Sequence, residues 1–310
     1  MKEIHKSVLL QEAIDSLSLK EDDVAVDMTL GFAGHSSEIL KRIKKGYLFA
    51  FDQDSEVFTY SRNRLNAIGN NFELIHANFS EAKEELLKRN ITKVDAILYD
   101  LGVSSYQLDN KERGFSYNND AVLDMRMNRD NPLTAKIVIN TYSEQDLTRI
   151  FKLYGESKFA RNIARNIVNK RKEKEINTTL ELVSIIKEAV PIKERLKKHP
   201  AKQIFQAIRI EVNKELDVLV SSLNDSLDLL NVGGRLAVIT FHSLEDKIVK
   251  DTFRKVSETD SLSKGLPNIP EDKLPDFKII TKKGIVPTDK EEEENHRAHS
   301  ARLRVIERIK

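Results

Sequence analysis

Acidic residues close several short apolar runs of the sequence, and their spacing suits a nucleoside ligand that carries an amino acid tail. Asp27 precedes Gly31 by four positions, so its carboxylate can face an ammonium group while the glycine turn holds the rest of the ligand. Asp52 follows Gly31 by 21 positions, where an acid can accept both hydroxyls of an unphosphorylated ribose. A tight turn at Gly31 and a solvated loop acid are the structural alternatives, with Asp54 an equal competitor of Asp52.

The next two apolar runs end in residues suited to a base and to a reacting amine. Asn78 and Phe79 follow the third run, where a polar group and a flat ring could hold the edge and face of an adenine. Asp100 ends the fourth run, and a carboxylate there can orient the hydrogens of an exocyclic amine and draw its lone pair out of conjugation. Phe79 alone would more often be a core residue, and Asp100 could equally fix a cofactor or a loop.

A parallel sheet would bring these residues together. The first hundred residues alternate apolar runs with amphipathic stretches of helical length, which is the rhythm of parallel strands joined by crossover helices. Ligands of open α/β sheets bind at the carboxyl ends of the strands, so four neighbouring strand ends are expected to converge on one ligand. The predicted strands are 24–28, 47–51, 72–76, 94–99, 235–241, 277–281 and 301–306.

The alternation of strands and helices stops for over a hundred residues after the fourth strand. Helical patterns occupy 142–154, 158–171, 179–190 and 203–230. We therefore predict an α/β core made of residues 1–107 and 216–310, with a helical domain of residues 108–215 inserted into it. The insert carries 22 basic and 15 acidic residues, whereas the remainder has a net charge of −5. This asymmetry favours a polyanion as partner of the insert, with a solvated basic surface as the alternative.

Two basic clusters of the insert are candidates for phosphate contacts. The segment from Lys158 to Lys172 contains six basic residues and no acidic one, and its apolar residues recur every fourth position. Arg161 and Arg165 are thereby left on another face of the predicted helix. A second cluster surrounds Lys197 and Lys198. The residues predicted to bind RNA are Lys158, Arg161, Arg165, Lys172, Lys197 and Lys198.

Several classes of protein are disfavoured by what the sequence lacks. The chain has no Cys, which excludes disulfides, thiolate metal sites and Cys nucleophiles, and fits a reducing compartment. The first ten residues form no apolar signal region, and no stretch approaches the 18 apolar residues of a membrane helix. We expect a cytoplasmic protein that does not bind a membrane. The scattered His residues offer no convincing ligand set, so no metal is predicted.

Six blocks of the sequence match the signatures of a known family. They are Gly31–His35, Asp100–Ser105, Arg113–Ser116, Leu123–Met127, His199–Ile210 and Thr240–Asp246. With these blocks the chain resembles the bacterial small-subunit ribosomal RNA cytosine-N4 methyltransferases over nearly its whole length. The resemblance implies an S-adenosylmethionine-dependent methyltransferase (Rossmann-like) core with an inserted helical domain. It also implies methyl transfer to the N4 amine of a cytidine in 16S ribosomal RNA, within the assembled small ribosomal subunit.

The resemblance also implies which residues contact the cofactor. The glycine-rich turn of the family corresponds to Ala33, Gly34 and His35, and its ribose acid to Asp52. The residues predicted to bind S-adenosylmethionine, from the strand-end pattern and from the resemblance together, are Asp27, Gly31, Ala33, Gly34, His35, Asp52, Phe79, Asp100 and Gln107. Asp100 is also the predicted catalytic residue. Phe32 stands where the family usually has Gly, a substitution that could crowd the turn.

Two other functions fit parts of the pattern. A nicotinamide-dependent dehydrogenase would also need glycines after its first strand and an acid after its second, but the G-x-G-x-x-G fingerprint is absent. A non-catalytic RNA-binding protein of ribosome assembly could retain a cofactor pocket. If the chain modifies a base, the target nucleotide should be splayed from its stack onto an aromatic ring. Phe115, Tyr117 and Tyr106 are the candidates for that ring.

Overall fold

A computed structural model describes residues 7–259 and 274–310, and it divides the chain into two compact units. The first unit consists of Met1–Gly102 and Leu216–Lys310, so it is discontinuous in sequence. The second unit, Val103–Glu215, is the segment between these two parts. The domain boundary predicted after residue 107 falls five residues inside this second unit.

A seven-stranded sheet forms the centre of the first unit. The strands are β1 (Val24–Asp27), β2 (Tyr47–Asp52), β3 (Phe72–His76), β4 (Val94–Asp100), β5 (Leu230–Thr240), β6 (Phe277–Ile279) and β7 (Arg302–Arg308). Their order is β3-β2-β1-β4-β5-β7-β6, with β1 to β5 parallel and β7 antiparallel to both of its neighbours. The prediction of an α/β fold with a mostly parallel sheet is confirmed.

Helices cover the sheet and build the second unit. In chain order they are α1 (Leu10–Leu17), α2 (Gly34–Arg42), α3 (Phe58–Asn66), α4 (Ala82–Lys88), α5 (Ser105–Asp109), α6 (Ala135–Thr141), α7 (Glu144–Leu153), α8 (Ala160–Glu173), α9 (Thr179–Glu188), α10 (Ile192–Arg195), α11 (Ala201–Asn213), α12 (Glu215–Leu229), α13 (Ser243–Ser257) and α14 (Asp289–Glu294). Among the residues described, no helix is both long and apolar enough to pass through a bilayer.

Burial explains why the central strands read as unbroken apolar runs. In β4, every residue from Ala96 to Tyr99 is buried, because apolar clusters pack on both faces of the sheet. The polar residue Asp100 ends this run at the carboxyl edge. The same pattern, an apolar interior followed by a terminal acid, occurs in β1 and β2.

Strand β5 begins earlier than the sequence pattern predicts. The pair Gly233 and Gly234 predicts a turn before a strand at residue 235, but β5 runs from Leu230 through both glycines. Its register with β4 is interrupted there, because Val94 pairs with Leu230 and Ala96 pairs with Arg235, so three extra residues of β5 bulge out of the ladder. Gly233 has a φ of 85°, a conformation that glycine adopts without strain. The two glycines therefore serve a bulge inside the strand instead of a turn before it.

The single long helix expected over 203–230 is two helices. Lys214 separates α11 from α12 with a φ of 51°, and its N–H donates to the carbonyl of Ile210. A lysine in the left-handed region leaves no warning in the sequence, since that conformation is typical of Gly or Asn. The expectation of one continuous helix was wrong for this reason.

The second unit has its own apolar core and a polar clamp within it. Asn213, at the end of α11, is 6% exposed; its Oδ1 accepts from the N–H of Met127 at 2.8 Å and its Nδ2 donates to the carbonyl of Met125, also at 2.8 Å. Met125 has a φ of 60°, so this clamp holds a loop in a conformation that a methionine disfavours.

Replacing Asn213 with Ala should lower the free energy of unfolding by about 2 to 3 kcal/mol, because buried polar groups of the loop lose their partners. Denaturant titration followed by circular dichroism measures this loss. The matched control is Asn162→Ala on the exposed face of α8, which should change stability by less than about 0.5 kcal/mol. Equal effects at the two positions would contradict the clamp.

Candidate functional site

The predicted site of the first unit lies where the strand order reverses. β1 and β4 are neighbours, but the chain continues outward from them in opposite directions, to β2 on one side and β5 on the other. Asp27 ends β1 and Asp100 ends β4, with Asp27 opposite Leu98 in the register. Such a reversal leaves a crevice at the carboxyl edge of an open sheet, so both acids lie at the usual ligand-binding place of this architecture.

Asp27 is buried and organises the turn that follows it. Its Oδ2 accepts from the hydroxyl of Ser36 at 2.6 Å, and its Oδ1 accepts from the N–H of Thr29 at 3.0 Å. Burial raises the pKa of this carboxyl, and the hydrogen bonds from Ser36 and Thr29 oppose that shift. Asp27 therefore ties the end of β1 to the first turn of α2.

The glycine-rich turn requires unusual backbone conformations. Gly31 and Ala33 have φ values of 47° and 57°, and α2 begins at Gly34 with no side-chain cap from Ala33. A Cβ on Gly34 would lie 1.8 Å from the Oγ of Ser7, so a larger residue there would require the Ser7 side chain to move. The ring of Phe32 packs edge-on against Tyr60, with 5.2 Å between ring centroids. The side chain that replaces the usual glycine of the family thus has a place against α3.

Asp52 supports the same turn from the neighbouring strand. Its Oδ2 accepts from the N–H of Gly31 and its Oδ1 from the N–H of Asp54, both at 2.9 Å. Burial, with the charges of Asp54 and Asp27 as smaller contributions, raises the pKa of Asp52 to about 6. Asp54, the competing acid, is only 2% exposed and caps the short helix that follows, whereas Asp52 is half-buried.

A buried hydroxyl network positions Phe79. The residue begins a 3₁₀ turn, Phe79–Glu81, whose N-cap is Asn78. The carbonyl of Phe79 accepts from the Oγ of Ser222 at 2.9 Å, and the hydroxyl of Tyr99 lies 2.5 Å from the same Oγ. The rings of Phe79 and Tyr99 pack edge-on, with 5.5 Å between centroids. Phe79 is therefore a partly buried ring held at the edge of the sheet.

Asp100 faces His35 across the crevice edge. Its Oδ2 lies 3.5 Å from the Nδ1 of His35, and its backbone N–H donates to the Oγ1 of Thr29 at 2.7 Å. Burial, together with the charges of Asp27 and Glu245, raises the pKa of Asp100 to about 8. Burial also lowers the pKa of His35 to about 4, so the imidazole is neutral near pH 7.

Acidic residues end β1, β2 and β4 at this edge of the sheet. In the described ranges 7–259 and 274–310, Asp27, Asp52 and Asp100 form no ion pair with Lys or Arg. A ligand with positive groups is favoured there, and the negative pyrophosphate of a dinucleotide is disfavoured. Together with the absent G-x-G-x-x-G fingerprint, this arrangement disagrees with the nicotinamide alternative.

Glu245 is a site residue that the strand-end pattern missed. The sequence predicts it inside a capping box headed by Ser243, but the structure places the N-cap of α13 one residue earlier, at His242. The box pairs His242 with Glu245, because the His242 N–H donates to Glu245 Oε2 at 3.3 Å and the Glu245 N–H donates to His242 Nδ1 at 3.4 Å. Glu245 Oε2 also accepts from the N–H of Phe241 at 2.8 Å. Asp246 instead binds Arg304 with distances of 2.7 and 2.9 Å. The matched block 240–246 was the only signal in the sequence.

Gln107 belongs to the second unit. It is buried at 5% exposure and forms a capping box with Ser104, accepting from the Ser104 N–H at 3.0 Å. The other predicted cofactor residues all belong to the first unit: Asp27, Gly31, Ala33, Gly34, His35, Asp52, Phe79 and Asp100. Gln107 is thus the one predicted cofactor residue that belongs to the second unit.

The predicted RNA-binding residues lie in the second unit, most of them on or beside α8. This helix buries Ala160, Ile163, Ala164 and Ile167, while Arg161, Arg165 and Lys172 are exposed on one stripe because they are spaced by four and seven positions. Within the described part of the chain, Lys158, Arg161, Lys172 and Lys198 have no ion-pair partner. Arg165 lies 3.7 Å from Glu144, and Lys197 lies 2.8 Å from Glu194.

The fold and this acidic edge define the class of the protein, which is a methyltransferase with a Rossmann-like core. The model of the MraW methylase family matches residues 2–309, and the chain belongs to that family. It is similar to the ribosomal RNA small subunit methyltransferase H of Limosilactobacillus fermentum, with 51% identity over 99% of this chain and 98% of the relative. The protein of the same name from Streptococcus mutans is 53% identical over the same shares. The family resemblance inferred from six sequence blocks is confirmed.

Proposed function

We propose that this protein transfers a methyl group from S-adenosylmethionine to the exocyclic N4 amine of a cytidine in 16S ribosomal RNA. Membership of the MraW methylase family over residues 2–309 is the observation that carries this proposal. The names of the relatives, which are small-subunit ribosomal RNA methyltransferases, support the same substrate. We further propose that the RNA is modified within the assembled small subunit, and that residues 108–215 form the RNA-recognition domain.

The negative charge of the acidic edge of the first unit complements the positive charge of the cofactor. S-adenosylmethionine, when bound, supplies a methyl group on a positively charged sulfur. In this proposal Asp52 would accept the ribose hydroxyls and Phe79 would offer an apolar face to the adenine; the positions of both at the sheet edge support these roles. Gly31, Ala33 and Gly34 form the turn against which the rest of the ligand would pack. Asp27 acts by fixing this turn, since it is only 1% exposed, whereas Asp52 is half-buried and each of its oxygens keeps a second lone pair for a ribose hydroxyl.

Asp100 is the residue that we assign to the reacting amine. A carboxylate at this strand end can accept one amine hydrogen, which directs the nitrogen lone pair away from the pyrimidine ring. Methyl transfer would form an N–C bond and break a C–S bond, and the proton that the amine loses would pass to the Asp100 carboxylate. The Oδ1 of Asp100 is buried and has no hydrogen-bond partner among the described residues. A hydrogen bond from the amine would satisfy this acceptor.

The second unit supplies the basic surface for RNA phosphates. Arg161, Arg165 and Lys172 form one exposed stripe on α8, and such a stripe tracks a phosphate backbone. Of the three aromatic candidates for stacking, Phe115 is buried in the core and one face of Tyr117 is covered by His199 at 4.8 Å. Tyr106 is 39% exposed, so we favour its ring for contact with the target base.

The decisive experiment measures both the reaction and its position. Purified protein, labelled S-adenosylmethionine and small subunits from cells that lack this gene should yield one methylated cytidine by nucleoside mass spectrometry. Naked 16S RNA serves as the comparison substrate. Cofactor binding without any methyl transfer would favour a non-catalytic assembly protein, and calorimetric binding of NAD in place of S-adenosylmethionine would favour the dehydrogenase.

Replacing Asp52 with Ala should weaken S-adenosylmethionine binding by about 10- to 100-fold, because hydrogen bonds to a charged acceptor contribute roughly 1.5 to 3 kcal/mol. Since its pKa is about 6, affinity of the wild type should also fall as the pH drops below 6 and the carboxyl becomes protonated. Titration calorimetry at several pH values measures both effects. Asp22→Ala, an exposed acid before β1, is the control. Unchanged affinity of Asp52→Ala would remove this residue from the ribose site.

A further inference from the structure

The contact between His35 and Asp100 identifies where one proton resides. The Nε2 of His35 lies 3.2 Å from the carbonyl oxygen of Val8, and a carbonyl only accepts, so Nε2 carries the hydrogen. The other nitrogen, Nδ1, then presents a lone pair to Asp100 Oδ2 at 3.5 Å. Two lone pairs at this distance repel unless one group brings a hydrogen. His35 is only 4% exposed, which disfavours a charged imidazole, so we assign that hydrogen to the carboxyl of Asp100.

The groups around Asp100 also favour the protonated form of its carboxyl. Asp27 on β1 and Glu245 on α13 add negative charge, and both disfavour an ionised Asp100. Thr29 is a further neighbour, and its hydroxyl accepts from the Asp100 backbone N–H at 2.7 Å. Over the residues that the structure describes, Oδ1 of Asp100 is buried without a hydrogen-bond partner, and no Lys or Arg pairs with this side chain. The site therefore lacks a positive group that would stabilise the carboxylate.

We propose that His35 holds Asp100 protonated in the free protein, and that binding of the cationic cofactor releases this proton to solvent. The proposal rests on the proposed function and concerns how the same site becomes active. The O–H bond of Asp100 breaks, the proton passes to the buffer, and the resulting carboxylate is compensated by the positive charge of the ligand. Asp100 then becomes a proton acceptor for the attacking amine only in the cofactor complex, so productive RNA binding follows cofactor binding. His35 is a positioning residue in this scheme.

Titration calorimetry at pH 7 in buffers of different ionisation enthalpy counts the protons released on binding. An acid with a pKa of about 8 is about nine-tenths protonated at pH 7, so Asp100 should release about 0.9 proton per S-adenosylmethionine bound. Asp52, with a pKa of about 6, should add only about 0.1 proton, so the wild type should release about one proton in total. S-adenosylhomocysteine, whose sulfur is uncharged, should release less than half as much.

Two variants locate the released proton. Asp100→Asn should bind the cofactor and release only the small share of Asp52. His35→Gln places an amide N–H within reach of Asp100, which favours the carboxylate, so this variant should release fewer protons than the wild type at pH 7. Equal release by wild type and Asp100→Asn, or cofactor binding without proton release, would overturn the inference while the proposed function stands. Absence of S-adenosylmethionine binding to the wild type would instead overturn the proposed function and this inference with it.

Discussion

Asp100→Asn should reduce the turnover of methyl transfer by about 100-fold while RNA affinity changes by less than about two-fold. Acceptance of a proton by a positioned side chain contributes roughly 100- to 10,000-fold to a reaction rate. The lower end is expected here, because the amide oxygen of Asn still accepts one amine hydrogen but gains no proton. Single-turnover transfer of labelled methyl to small subunits measures the loss, and filter binding measures the RNA affinity.

A carboxylate removed elsewhere in the first unit is the control for this variant. Asp228 on α12 is exposed and pairs with Lys83 at 2.9 Å, so Asp228→Asn removes the same charge without touching the site. It should leave turnover unchanged. Normal turnover of Asp100→Asn would show that the carboxylate is dispensable and would withdraw the catalytic role of this residue.

The stability of Asp100→Asn provides a second, independent test of the raised pKa of Asp100. The folded-state pKa of Asp100, about 8, is above the value near 3.9 of an unfolded chain. The folded state therefore binds this proton more tightly, and the stabilisation present at low pH is lost as the pH rises from about 4 to 8. Asn carries no such proton. The variant should gain stability relative to the wild type across this range, as expected where a functional group is retained at a cost in stability.

The ends of the parallel strands could be predicted from the sequence because burial on both faces leaves a strong pattern. In β2 and β4 an unbroken apolar run is followed directly by Asp52 or Asp100, and the sheet edge is the only place where such a polar residue meets solvent. Since every parallel strand ends at the same edge, the proximity of these residues follows from topology alone. The family was also predicted correctly, because six separate blocks occur in the right order.

Side-chain pairings set by tertiary packing could not be predicted. His35 and Asp100 are 65 residues apart, and their proximity depends on the angle at which α2 leaves the turn. The helix break at Lys214 and the shift of the α13 cap to His242 depend on local backbone angles that have no strong sequence preference. The domain boundaries stay predictions, and so do the functional roles of the site residues, which the variants above test.

Replacing Arg161 and Arg165 together with Gln should weaken RNA binding and reduce its dependence on salt. If about five phosphates of single-stranded RNA are neutralised by the wild type, its affinity should fall by about 100-fold between 50 and 200 mM salt, because each neutralised phosphate releases counterions. The double variant would neutralise about three phosphates, so the same change of salt should lower its affinity by only about 20-fold. Cofactor binding should be unaffected, since both arginines belong to the second unit.

The control for this double variant removes the same charge from other exposed positions of the second unit. Lys152, at the end of α7, and Lys174, which pairs with Glu181 at 2.6 Å, are both exposed and lie outside the α8 stripe. Their joint replacement with Gln should leave the salt slope close to that of the wild type, because counterion release depends on phosphate neutralisation and not on net charge alone. Equal losses of affinity in the two double variants would show that the insert attracts RNA only by its total charge. A flat salt response of the wild type would contradict phosphate binding by this domain altogether.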